Sequence, residues 1–160
     1  MSNFDFSPYK GLYLKTAREY IVKIQQSTDV LLKQPDNHDA IMTIYISAHS
    51  LGSQSTLTNY KNMEAVCGVI EHIFLKIKEG NLKISEDLLT ALKDSIIGLT
   101  NCVDSIDKKN SEIDLSNIKE ELQKIELWPI RYVRQAQYRT EQSRMCDFAQ
   151  AVRGSEEPSG

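Results

Sequence analysis

The sequence predicts an all-α protein: an antiparallel four-helix bundle with a short fifth helix. Apolar residues recur at alternating intervals of three and four in four long segments, which is the period of helices with one buried face. Turn residues separate these segments by short connections, and short connections make consecutive helices antiparallel neighbours. No segment shows the period-two alternation of a β-strand.

The first predicted helix runs from about Tyr9 to Lys33 and ends in the turn that contains Pro35. Proline lacks an amide donor and disfavours helix in the residue before it. The second predicted helix runs from about Asp36 to Thr58. The inward positions are Leu14, Ala17, Ile21, Ile24, Thr28 and Leu31 in the first helix, and Ile41, Ile44, Ala48, Leu51 and Ser55 in the second.

The third predicted helix runs from Tyr60 to Lys78 and stops near Gly80. Ser85 is the expected N-cap of the fourth helix, and a short fifth helix follows a polar linker and closes at Trp128. The inward positions are Met63, Val66, Ile70, Ile73 or Phe74, and Ile77 in the third helix; Leu88, Leu92, Ile96, Leu99, Val103 and Ile106 in the fourth; and Leu115, Ile118, Leu122 and Ile125 in the fifth.

The overall composition is that of an ordinary globular protein, and it excludes several classes. The 160 residues fit one domain with its own core, and the net charge of −3 argues against a general nucleic-acid binder. No apolar run reaches the roughly 18 residues of a membrane helix, and no signal peptide is recognisable. The widely spaced Cys67, Cys102 and Cys146 indicate neither a disulfide framework nor a metal site, so we expect a cytoplasmic protein.

The bundle is expected to span residues 1–129, and residues 130–160 differ in composition. This C-terminal segment has five Arg, no Lys and four acidic residues, so its net charge is +1, whereas residues 1–129 have fourteen basic and eighteen acidic groups and a net charge of −4. Its end has the composition of a partly disordered segment. It is interpreted as a helix that leans on the bundle or as a segment foreign to the domain's function; the alternative is an arginine arm that binds a partner or nucleic acid.

Among the three histidines, His49 is the candidate for chemistry. His38 and His72 are expected at the surface, whereas His49 lies one position past the inward Ala48, about 100° around the helix and therefore at the edge of the buried stripe. Gly52 shares that face, although a glycine inside a helix costs about 1 kcal/mol relative to alanine. Either a large group approaches the histidine closely, or the small residues permit tight helix packing.

The run Ala48-His49-Ser50-Leu51-Gly52-Ser53-Gln54-Ser55 resembles the A-H-x-L-K-G motif of histidine phosphotransfer (HPt) domains. In that family a bundle helix presents a histidine that accepts a phosphoryl group. The order of the helices supports the resemblance from about Tyr13 to Ile125. Because a fifth helix follows, the chain is most similar to the HPt domain at the N-terminus of the chemotaxis histidine kinase.

The resemblance implies that His49 is the phosphoacceptor and that Glu71, twenty-two residues later on the next helix, accepts a hydrogen bond from its Nδ1–H. Such a carboxylate fixes the tautomer and leaves the Nε2 lone pair free to attack. The alternative for Glu71 is a solvated charge on a helix face. The chain departs from the family at Gly52, where Lys is usual, at Ser53, where Gly is usual, and at Gly68, where the chemotaxis version has a second histidine.

The resemblance also implies two sets of residues around His49. The phosphoryl group would be surrounded by Gly52, Ser53 and Gln54, with Lys61 as a further substitute donor. A docked partner would contact Tyr45, Ser53, Thr56 and Cys67.

The implied function is phosphotransfer in a two-component phosphorelay. His49 would accept a phosphoryl group from, and donate it to, the aspartate receiver domains of response regulators, with a histidine kinase upstream. The chain has no Gly-rich phosphate loop and no room for an ATP-binding domain, so we expect a monomeric carrier with no cofactor of its own, the Mg²⁺ being held by the receiver. The alternative is a non-catalytic helical adaptor that binds a receiver or kinase without carrying phosphate, and the lack of Lys at Gly52 favours it.

Overall fold

The computed structural model describes residues 5–127, and they form an all-α bundle. A 3₁₀ turn at Ser7–Tyr9 leads into α1 (Lys10–Lys33), α2 (His38–Leu57), α3 (Lys61–Lys78) and α4 (Glu86–Lys109). Residues 116–127 are also helical and are called α5. The predicted fold class and helix order are confirmed. Residues 130–160 and the predicted closure of the fifth helix at Trp128 lie outside the described residues.

The helices are arranged so that α2 packs against both α1 and α3, while α4 packs against α1 and α3. Every inward position predicted for α1, α2 and α4 is buried, which confirms the periodicity of these segments. In α3 both Ile73 and Phe74 are buried, and Ile77 is partly buried. The fifth segment contributes Leu115 and Leu122 to the core, with Ile118 and Ile125 packed at its edge.

Side chains cap two of the helices and set where they begin. Asn37 Oδ1 accepts a hydrogen bond from the Ala40 amide at 2.9 Å, so α2 starts at His38, two residues later than predicted. Ser85 Oγ accepts from the Leu88 amide at 3.2 Å, which confirms the predicted N-cap of α4.

The linker between α4 and α5 is tied to the start of α3. Glu112 Oε1 accepts from the Met63 amide at 2.8 Å, and Asn62 Nδ2 donates to the Ile113 carbonyl at 2.7 Å. A carboxylate at a helix N-terminus is favourable because it faces unpaired amides and the positive end of the helix dipole. These contacts hold the linker before α5 against the N-terminal end of α3.

Candidate functional site

His49 and Glu71 form a hydrogen-bonded pair across the interface between α2 and α3. His49 Nδ1 donates to Glu71 Oε1 at 2.7 Å, and the two side chains are 59% and 30% exposed. Within residues 5–127 the carboxylate of Glu71 has no other ion-pair partner. Because the carboxylate holds the proton on Nδ1, Nε2 carries the lone pair, on a side chain that is mostly exposed. The structure thus contains the hydrogen bond that the resemblance implies.

The pair is held in place by core residues next to it in each helix. Ala48 precedes His49 in α2, Ile70 precedes Glu71 in α3, and both are completely buried. Each of these two side chains therefore projects from the edge of a buried stripe, as the sequence predicted for His49. The orientation of the imidazole follows from the packing of two rigid helices rather than from a loop.

Gly52 is buried and faces α3. A Cβ at this position would lie 3.3 Å from the Cβ of Cys67, which is closer than an ordinary van der Waals contact. The glycine therefore lets α2 and α3 approach closely, and this close approach brings the His49 and Glu71 side chains within hydrogen-bonding distance. Gly52 faces the helix interface, which supports tight packing as the reason for the small residue; its place beside the phosphoryl group stays a prediction.

The prediction that Cys67 contacts a docked partner is wrong. Its side chain is completely buried between the helices, so it does not contribute to the surface that a docked partner would touch. Burial raises the pKa of its thiol to about 12. Cys67 is a packing residue opposite Gly52.

Three of the predicted site residues share the exposed face of His49. Ser53 and Thr56 follow it by one and two turns of α2, and both are exposed. Tyr45 lies one turn before it and is partly buried, with Lys78 Nζ 4.8 Å from the centre of its ring. These residues form a continuous strip along α2 on either side of the imidazole.

The predicted donors Gln54 and Lys61 make other contacts. Thr16 Oγ1 donates to Gln54 Oε1 at 2.7 Å, so this amide oxygen is directed toward α1. Lys61 Nζ pairs with Glu64 at 3.5 Å, and it lies about 15 Å along α3 from Glu71, at 1.5 Å per residue. The His49–Glu71 pair therefore has no cation partner in the part of the chain that the structure describes.

An apolar groove between the start of α1 and the end of α2 was missed by the sequence reasoning. It has a volume of about 330 Å³ and is lined by Phe6, Tyr9, Leu12, Tyr13, Thr16, Gln54, Leu57 and Thr58. Leu12 is 62% exposed and Leu57 is 67% exposed. The sequence did contain a signal for this groove, because Leu12 and Leu57 are apolar residues outside the predicted inward positions of their helices. We call this feature the α1–α2 groove; on α2 its lining begins at Gln54, about one and a half turns beyond His49.

Comparisons with known proteins agree on one architecture, although no family model matches the chain. The solution structure of the histidine phosphotransfer domain of CheA superposes with a TM-score of 0.68 at 20% identity, covering 75% of this chain and 92% of that one. This chain has the HPt fold. The crystal structure of the phosphorylated P1 domain of CheA3 in complex with CheY6 from R. sphaeroides also has a TM-score of 0.68, at 10% identity and with 78% and 97% coverage.

A curated relative points to the same fold. The chemotaxis protein CheA of Bacillus subtilis (strain 168) is 22% identical over 119 residues, which are 74% of this chain and 18% of that protein. The chain thus spans less than a fifth of the length of this relative. Within residues 5–127 the HPt fold holds no cluster of three or more metal-binding side chains, and none of its helices is long and apolar enough to cross a membrane.

Proposed function

We propose that this protein is a phosphotransfer protein of a two-component phosphorelay, in which His49 accepts a phosphoryl group from aspartate receiver domains and donates it to them. One observation carries the proposal: an exposed imidazole on the HPt fold has its Nδ1 held by the Glu71 carboxylate at 2.7 Å. The complex of a phosphorylated P1 domain with CheY6 supports receiver domains as the partners, because that P1 domain has the same fold.

The proposed chemistry needs little from this chain beyond orientation. The Nε2 lone pair of His49 attacks the phosphorus of the receiver's aspartyl phosphate, forming an N–P bond as the P–O bond to the aspartate carboxylate breaks. The Nδ1 proton stays in the hydrogen bond to Glu71, and the reverse step returns the phosphoryl group to a second receiver. Phosphoryl transfer depends mainly on alignment and charge stabilisation. The receiver supplies the charge through its Mg²⁺ and its own cations.

The docking surface proposed for the receiver runs along the exposed strip of α2 into the α1–α2 groove. Tyr45, Ser53 and Thr56 flank His49, and Leu57 extends the surface to the apolar lining of the groove. Small and apolar side chains allow close approach to the imidazole. A transient signalling contact of this kind buries a small area and binds weakly.

The remaining features of the proposal concern the cellular setting. Cys67 and Cys102 are free buried thiols, which suits the reducing cytoplasm. The carrier is proposed to act as a monomer. A phosphohistidine carrier needs a donor that activates phosphate at the expense of ATP, so we place a histidine kinase upstream of the first receiver.

The test is transfer from receivers charged with a small phosphodonor. The wild type and the control His38→Gln, which alters an exposed histidine of the same helix, should acquire acid-labile, base-stable phosphate from a receiver. The His49→Gln variant should fold normally by circular dichroism and acquire none. Receiver-dependent labelling that persists in His49→Gln would exclude His49 as the acceptor.

The adaptor remains the second candidate, because the His49–Glu71 pair has no cation partner among residues 5–127 and Gly52 is used for packing. It is distinguished by the same experiment. A receiver that binds the wild type and the His49→Gln variant equally, yet transfers no phosphate to either, would support the adaptor over the carrier.

A further inference from the structure

His72 repeats the arrangement of His49 on another side of α3. Its Nδ1 contacts Oε1 of Glu126 in α5, so a carboxylate from a neighbouring helix again holds this nitrogen. The side chain of His72 is 57% exposed, against 59% for His49. Successive residues of a helix project about 100° apart, which is why Glu71 faces α2 while His72 faces α5. Neither the relay chemistry nor the core packing uses this second pair.

The second pair also has the cation that the first one lacks. Lys76 follows His72 by one turn of α3, and its Nζ lies 3.4 Å from the same Oε1 atom of Glu126. The Glu126 side chain is only 12% exposed, so its carboxylate is fixed between the two helices. The imidazole of His72 and the ammonium of Lys76 therefore converge on one oxygen atom, and within residues 5–127 Nε2 of His72 is left without a partner.

We propose that His72 is a second phosphoacceptor, with Nε2 as the attacking atom, Glu126 as the residue that orients the ring and Lys76 as the cation that holds the Glu126 carboxylate in place. The donor class is a small activated phosphoryl compound, in which the phosphoryl group sits on a good leaving group. The Nε2 lone pair forms the N–P bond while the bond between phosphorus and the leaving group breaks. The leaving group departs with that electron pair, and the Nδ1 proton remains with the imidazole and Glu126. No metal or redox partner is required.

His38 provides a matched reference within the same molecule. It is exposed at the start of α2, and no carboxylate holds its ring among the residues that the structure describes. A pair that serves only to fasten α5 to α3 would give His72 no advantage over His38 in reaction with a phosphoryl donor. An oriented nucleophile would react faster, because the carboxylate keeps the lone pair on Nε2 and increases its electron density.

The experiment is direct chemical phosphorylation of the full chain with phosphoramidate, with each phosphohistidine quantified separately by mass spectrometry under alkaline conditions. His72 should be labelled roughly tenfold faster than His38, the lower end of what an orienting carboxylate contributes. Glu126→Gln should bring His72 close to the rate of His38 and leave His38 and His49 unchanged. Glu121→Gln, at an exposed glutamate of the same helix, is the control and should change none of the rates.

Equal rates at His72 and His38 in the wild type would overturn the proposal without the need for any variant. An unchanged rate at His72 in Glu126→Gln, with α5 still protected from hydrogen exchange, would overturn it as well. The outcome is independent of the relay, because phosphoramidate needs no receiver. If His49→Gln loses labelling by receivers and His72 is inert to phosphoramidate, the relay stands and this proposal fails. If His49→Gln is still labelled by receivers and His72 reacts faster than His38 with phosphoramidate, the relay through His49 fails and this proposal stands.

Discussion

Gly52 of α2 and Cys67 of α3 are packed so closely that a Cβ on residue 52 would lie 3.3 Å from the Cβ of Cys67. This contact lies one turn beyond His49 and one turn before Glu71, so it sets the helix separation at which that pair forms its hydrogen bond. The position where the HPt resemblance expects a lysine is thus used for helix packing.

The first prediction concerns the stability of two glycine variants. Alanine is favoured over glycine inside a helix by about 1 kcal/mol. Gly68, in α3, has no atom within 4 Å of the position of an added Cβ, so Gly68→Ala should raise the free energy of unfolding by about that amount. Gly52→Ala should raise it much less or lower it, because the Cβ of Cys67 is fixed to the α3 backbone. Urea unfolding measures both, and equal gains would contradict the packing role of Gly52.

The outcome at Gly52 shows what could and could not be predicted from the sequence. The helices and their inward residues were predictable because a buried stripe imposes its period on the chain, as Ile41, Ile44 and Ala48 show. The neighbour that Gly52 faces depends on how two helices are placed in space, and composition does not reveal it. The sequence reasoning therefore left two interpretations open.

Cys67 was misplaced for a related reason. The three-four spacing treats a helix as having one narrow buried stripe, and Cys67 lies one position past the inward Val66. The buried arc of α3 is wider, because the helix is covered by α2 and α4 and by the linker before α5. The pairing of His72 with Glu126 was out of reach for the same reason, since it depends on where α5 lies.

The second prediction concerns Glu71. Glu71→Gln keeps an oxygen that can accept the Nδ1–H bond but removes its charge, whereas Glu71→Ala removes both. Transfer from a charged receiver should slow roughly tenfold in Glu71→Gln and further in Glu71→Ala, with the fold unchanged. Quench-flow labelling measures the rates, and ¹⁵N shifts of His49 report the tautomer. A full rate in Glu71→Ala would show that the carboxylate is only a surface charge.

The third prediction concerns the α1–α2 groove. Leu57 is 67% exposed, so Leu57→Asp should leave the bundle intact while placing a charge in the proposed docking surface. Losing the burial of one leucine corresponds to about 1.5–3 kcal/mol, which weakens receiver binding roughly tenfold or more. Ile97→Asp is the matched control, because Ile97 is 59% exposed on α4, which packs against α1 and α3 rather than α2. Titration calorimetry with the receiver that transfers phosphate should find the same affinity for Ile97→Asp as for the wild type. If Leu57→Asp and Ile97→Asp weaken receiver binding equally, the receiver docks elsewhere.

The last prediction concerns the stability of the bundle at alkaline pH. Burial raises the pKa of Cys67 to about 12, whereas a thiol in the unfolded chain has a pKa of about 8.5. Between these values the folded state retains a proton that the unfolded state has lost, so the stabilisation is complete below pH 8.5 and is lost as the pH rises toward 12. Burial also raises the pKa of Cys102 and of Tyr13, so the wild type should lose stability steadily above pH 9.

Cys67→Ala isolates the contribution of this thiol. The variant should be less stable than the wild type at pH 7, because it loses buried sulfur contacts, but its free energy of unfolding should fall less between pH 7 and pH 10. The difference between the two falls should be about 2 kcal/mol, from 1.36 kcal/mol per pH unit above the unfolded pKa. Urea unfolding at each pH gives both falls. We expect different falls, because Cys67 is completely buried opposite Gly52. Identical falls would contradict the prediction, because they would mean that the thiol ionises as readily in the folded protein as in the unfolded chain.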